Sequence, residues 1–84
     1  MSFLEEYTWR TYQSRGLMHQ RNLEILRNYL KTMPEDDIIY AIDRINRIEQ
    51  LKTLWEAGLN KPLQKATLRR YTELTRRITG VRTA

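Results

Sequence analysis

The chain has 84 residues, with 15 lysines and arginines against 10 acidic side chains and a formal net charge of +5. That length suits a single domain over 1–84, burying only about 60–65% of its extended-chain surface, so the core is small. Apolar residues make up 40% of the chain, which excludes a disordered tail, and the lack of cysteine excludes disulfides, thiolate metal sites and cysteine nucleophiles.

In chain order, the periodicity predicts helices over about 3–15, 17–32, 34–57 and 61–79. Ser2 followed by Glu5 has capping-box spacing at the start of helix one, and Gly16 is read as its left-handed stop. One continuous helix over 3–33 is the alternative, with Gly16 inside it at about 1 kcal/mol relative to alanine. Phe3, Leu4 and Tyr7 share one side with Thr11, while Trp9 and Tyr12 point more to the other. Four aromatics in so short a helix exceed what one buried stripe needs. Trp9 and Tyr12 are therefore candidate contacts for a partner or a second subunit.

Helix two carries Met18, Ile25, Leu26, Tyr29, Leu30 and Met33 as its apolar stripe, with Leu23 at the edge and Asn22 inside it as a buried, hydrogen-bonded group. His19, the only histidine, has no serine, cysteine or second histidine placed to share catalytic work and is read as structural. Pro34 disfavours helical geometry at Met33 and suits the first position of helix three. Glu35, Asp36 and Asp37 then fall in the first turn, where they offset exposed amides and are not read as metal ligands.

Helix three organises the rest. Ile38, Ala41, Ile45, Ile48 and Trp55 recur at spacings of three and four, with Ile42 and Leu51 beside them, and Gly58 reads as the stop. At 34–57 it would be roughly 34 Å long. Asp43 and Arg47 stand at an i,i+4 spacing on its solvent side. Two shorter helices cannot cover all of it, so its end around Trp55 is a natural dimer surface.

Asn60 is the expected N-cap of helix four, with Lys61 and Pro62 in its first turn and Gly80 as its end. Residues 43–84 carry ten basic and four acidic side chains, a net +6, against a net −1 for residues 1–42. At 100° per residue, Leu63, Thr67, Tyr71, Leu74 and Ile78 fall within an arc of about 80°. Lys61, Lys65, Arg69 and Arg76 fall within a separate arc of about 80°, with Thr72 inside it. Arg70 and Arg77 flank the apolar stripe on its other side. A basic line of this kind, almost free of acids, suits phosphates of a nucleic-acid backbone.

The expected fold is therefore all-α: a small bundle of three to four helices with a long central helix three, whose turn into helix four admits a helix-turn-helix-like pairing. The expected function is nucleic-acid binding, DNA ahead of RNA, through Lys61, Lys65, Arg69, Arg70, Thr72, Arg76 and Arg77, in a protein that self-associates as a dimer. The alternative is an interaction module or accessory subunit of a larger assembly, docking through the aromatic first helix (Trp9, Tyr12) and Trp55. No Gly-rich phosphate loop, paired-cysteine spacing or nucleophile elbow is present, so neither an enzyme nor a cofactor or metal is expected. No run approaches the roughly 20 apolar residues of a membrane span, and the acidic start does not read as a signal peptide. A cytoplasmic or host-cell-interior setting is expected.

Overall fold

A computed structural model describes residues 2–83, with side chains described from Ser2 to Arg76. Five helices form an all-α bundle: α1 Phe3–Gln13, α2 Gly16–Thr32, α3 Glu35–Ile42, α4 Ile48–Ala57 and α5 Lys61–Thr83. The local signals place most boundaries. Ser2 Oγ accepts the Glu5 N–H at 3.2 Å and donates toward Glu5 Oε1 at 3.4 Å, closing the capping box. Met33 is extended, with ψ 150°, directly before Pro34. Gly58 ends α4 with φ +102°, a conformation only glycine adopts without strain. Asn60 Oδ1 accepts the Leu63 N–H at 3.2 Å as the cap of α5.

Some boundaries move. Helix one stops at Gln13, because Ser14 and Arg15 are both extended, so α1 and α2 are separate helices. Gly16 does hold φ +58°, but as the first residue of α2. Pro34 lies just outside α3, where its carbonyl accepts the N–H groups of Asp37 and Ile38. The backbone of α5 runs past Gly80 to Thr83.

The expectation of three to four helices around one long helix three is overturned. Residues 34–57 are two helices, broken at Asp43–Arg47. Nothing between Ile42 and Ile48 is glycine or proline, so the break has tertiary causes. The last turn of α3 tightens through Arg44 N–H to Ala41 O and Ile45 N–H to Ile42 O, both 3.1 Å. The carbonyl of Ile45, freed by the break, is then taken by Arg70 of α5, whose Nε–H donates to it at 2.8 Å. Arg70 Nη2 donates to Asn46 Oδ1 at 3.0 Å in the same bend. The long supporting helix of the expected helix-turn-helix-like pairing goes with it, since the helix before the turn to α5 has only 10 residues. The expected Asp43–Arg47 pair is absent because the two no longer share a helix. Asp43 meets Arg69, and Arg47 lies over Trp9.

The break also explains a reassigned core. Leu51, Leu54 and Ala57 of α4 are buried with Ile38, Ile42 and Ile45, whereas Trp55 is 46% exposed. A heptad count carried through from Ile38 assumes one unbroken helix, and the bend re-phases α4 by turning Leu54 inward. α4 packs on α1, α2 and α5, and α3 bridges α1 and α5. Between α1 and α4 the core is partly polar. Buried Gln50 donates from Nε2 to Glu5 O at 2.5 Å and to Thr8 Oγ1 at 3.2 Å. Thr8, Thr11 and Thr53 return their hydroxyls to carbonyls one turn back on their own helices. Among the described residues no buried side-chain polar atom lacks a partner.

Candidate functional site

The basic face of α5 was the first candidate, and its members have different surroundings. Arg70 is only 6% exposed. Besides its bonds to the α3–α4 bend, its Nη1 donates to Glu73 Oε2 at 3.0 Å, so this side chain is directed into the body. Arg69 remains on the surface and donates from Nη2 to both Asp43 oxygens, at 3.0 and 3.1 Å. Lys61, Lys65, Thr72 and Arg76 are exposed. Neither Lys61 nor Lys65 makes an ion pair with any described residue. The side chain of Arg77 lies outside the described residues.

His19 is a strut. Its Nδ1 sits 2.9 Å from Thr11 O and 3.1 Å from Ser14 Oγ, and its Nε2 sits 3.1 Å from Glu56 Oε1. It thereby ties the end of α1 and the start of α2 to α4. Among the described residues there is no group of three or more His, Cys, Asp or Glu arranged to hold a metal, and no helix is long and apolar enough to cross a membrane.

Some of the large apolar side chains on the surface form two sets, while Leu17, Met18, Met33 and Tyr40 stand outside them. The first set joins α1 to α2. The Phe3 ring lies 4.4 Å from Tyr29 and 5.1 Å from Tyr7, centroid to centroid. The Tyr7 hydroxyl donates to Asn22 Oδ1 at 3.1 Å, which satisfies that buried amide as expected and locks the ring's tilt. The Arg10 guanidinium lies 5.8 Å from the Tyr7 centroid. Leu23, Leu26 and Leu30 take the core side of α2, so the opposite margin of its wide stripe, with Ile25 and Tyr29, is left beside Phe3 and Tyr7. Phe3 is 45% exposed.

The second set lies between α4 and α5. Leu51, Lys52 and Trp55 face Thr67, Leu68 and Tyr71 across a groove of about 200 Å³ whose surface is almost wholly apolar. Leu68 is 53% exposed and Tyr71 37%. Trp55 was expected on an open surface and is found there, but as one wall of a groove. Trp9 and Tyr12 are elsewhere, stacked on each other at 5.5 Å with Arg47 4.4 Å over the indole. That arrangement covers part of Trp9 from within the molecule and leaves Tyr12 exposed.

Sequence reasoning missed Phe3, Tyr7 and Tyr29 as a cluster, and Leu68 as a wall of the groove. The signals were Phe3–Tyr7 at i,i+4 and Leu68–Tyr71 at i,i+3, each one ridge of a helix. The depth of each helix in the bundle was needed to tell that these ridges sit at the rim rather than in the core. No protein-family model, curated protein or solved structure matches this chain.

Proposed function

We propose that this chain is a protein-interaction module, or an accessory subunit of a larger assembly, docking through Phe3, Tyr7 and Tyr29 and through the Trp55 region. The carrying observation is that Phe3 with Tyr7 and Tyr29, and Trp55 with Leu68 and Tyr71, form two contiguous apolar surfaces at the rim of the bundle. Fully burying a large apolar side chain is worth about 1.5–3 kcal/mol. For rings already half covered, a partner gains roughly 1 kcal/mol each, so these rings anchor a contact whose remaining affinity comes from the surface around them. A second copy of the chain is one partner such surfaces accept. The lack of cysteine fits a cytoplasmic or host-cell-interior setting.

Nucleic-acid binding through α5 is the less favoured reading. Arg70 spends its donors inside the molecule and Arg69 gives its Nη2 to Asp43 on the surface, which weakens the basic face as a phosphate-binding line. The test is quantitative affinity purification from cells of the source, comparing the natural chain with Phe3→Ser/Tyr29→Ser and with Trp55→Ser/Leu68→Ser. Circular dichroism checks that each variant keeps its helices. Proteins recovered with the natural chain and lost from a folded variant support the module reading. Recovery indifferent to both variants, together with salt-sensitive DNA or RNA binding lost on Lys61→Ala/Lys65→Ala, overturns it.

A further inference from the structure

The groove between α4 and α5 has a shape and a charge that narrow the class of its occupant. Its volume, about 200 Å³, is below the roughly 300–1,000 Å³ of small-molecule sites and suits one or two inserted side chains. Its walls follow two helices for about one turn each: Leu51 and Trp55 on α4, and Thr67, Leu68 and Tyr71 on α5. On a wheel of α5 the order of surfaces is core, then groove, then the arc of Lys61, Lys65, Thr72 and Arg76. The basic arc therefore begins where the apolar wall ends. On the other wall the charged lining residue is Lys52. Lys52, Lys61 and Lys65 have no carboxylate partner among the described residues. The nearby acids are directed elsewhere: Glu73 of α5 to Arg70, and Glu56 of α4 to His19. Glu49 lies beyond Lys52 on the flank of α4 away from Trp55.

We infer that this groove docks an acidic amphipathic helix of a partner protein. The inference rests on the interaction-module reading and specifies the partner for one of its two surfaces. The bound helix lays one apolar ridge, with side chains at i and i+3 or i+4, between Trp55 and the Leu68–Tyr71 ridge. Its carboxylates stand over Lys52 on one rim and over Lys61 and Lys65 on the other. The apolar floor holds the helix, and the rims select sign and speed association. A second copy of this chain fits less well, because a twofold contact sets one basic rim against the other. A single-stranded nucleic acid also finds two rings to stack on beside basic rims, and it enters the test as the competing occupant.

The probe is a fluorescein-labelled amphipathic peptide of about 18 residues, five helical turns, with a leucine and phenylalanine ridge and glutamates on its other faces. Controls are the same ridge with lysines, a mixed-sequence single-stranded RNA and duplex DNA. Anisotropy measures affinity on the full chain, and amide chemical shifts report the site. The expected result is a Kd for the acidic peptide at least about tenfold below that of the lysine peptide, a difference of about 1.4 kcal/mol. Shifts should concentrate on α4 and α5 around Trp55, Leu68 and Tyr71. Leu68→Ser should weaken binding about tenfold. Lys52→Glu/Lys65→Glu, exposed positions that keep the fold, should reverse the charge preference. Equal binding of both peptides, shifts centred on Phe3 and Tyr29, groove shifts that grow with protein concentration alone, or tighter binding of either nucleic acid in the groove would each overturn the assignment. In those cases the purification experiment still decides the module reading separately, since it also reads the Phe3–Tyr29 surface.

Discussion

Replacing Arg70 by alanine tests the central claim about the fold, that the α3–α4 bend is held by α5. Arg70 Nε supplies the hydrogen bond to the Ile45 carbonyl at 2.8 Å, inside a bend whose Ile45 side chain is fully buried. Leaving a buried acceptor unpaired costs about 1–3 kcal/mol. The bond to Asn46 Oδ1 is also lost, though Asn46 is exposed and water replaces much of it. The buried methylenes of the arginine stem add about 1 kcal/mol of lost packing. The sum is about 2–4 kcal/mol, a large share of the roughly 5–15 kcal/mol by which domains are stable. At about 4–8 °C per kcal/mol for a domain this small, the melting temperature should fall on the order of 10–30 °C. Urea denaturation followed by circular dichroism measures the free-energy loss and a thermal melt the shift in melting temperature, with Arg69→Ala as the comparison. Arg69 and Asp43 form a half-exposed surface pair, worth about 0–1 kcal/mol. Arg70→Lys should restore little, because an ammonium cannot reproduce the planar fork that reaches Ile45, Asn46 and Glu73. If Arg70→Ala and Arg69→Ala lie within about 0.5 kcal/mol of each other, the anchoring role is refuted.

Other substitutions test the remaining joints. Gln50→Ala should cost about 2–3 kcal/mol in urea titrations, since it empties a buried site and removes the donor that Glu5 O and Thr8 Oγ1 share across α1 and α4. Gly58→Ala should cost about 1–2 kcal/mol through its φ of +102° alone. The nearest atom to an added Cβ, Arg27 Nε, is 3.7 Å away, so a cost above about 3 kcal/mol would mean a clash the geometry does not contain. Asn60→Ala should cost about 1 kcal/mol by removing the cap on Leu63 N–H, and Asn60→Asp should not. Equal melting temperatures for Asn60→Ala and the natural chain would refute the cap.

What a residue owes to its immediate neighbours was readable in advance, because it depends on two or three adjacent positions. Ser2 with Glu5, Met33 before Pro34, Gly58 and Asn60 each mark a helix end through a local hydrogen bond or a restricted dihedral. The 3.6-residue periodicity established an all-α chain and most of its core, including Leu26, Ile38, Ile42 and Ile45, and buried Asn22 followed from its place in the stripe. The lysines of α5 were correctly placed on its surface.

The break at Asp43–Arg47 was beyond that reach, because the apolar period runs on through it and nothing local forbids a helix there. A guanidinium twenty-five positions further along stabilises the bent form by satisfying the carbonyl the bend releases. The same contact turned Arg70 from a surface cation into a buried anchor and, by re-phasing α4, put Leu54 in the core and Trp55 on the rim of a groove. The sequence by itself determined helical character, most caps and charge, which are properties of short segments, but not the division of residues 34–57 into two helices. Which ridge faces inward and which cations stay in water were decided only when the helices met, since burial and pairing belong to the contact between segments and not to either one.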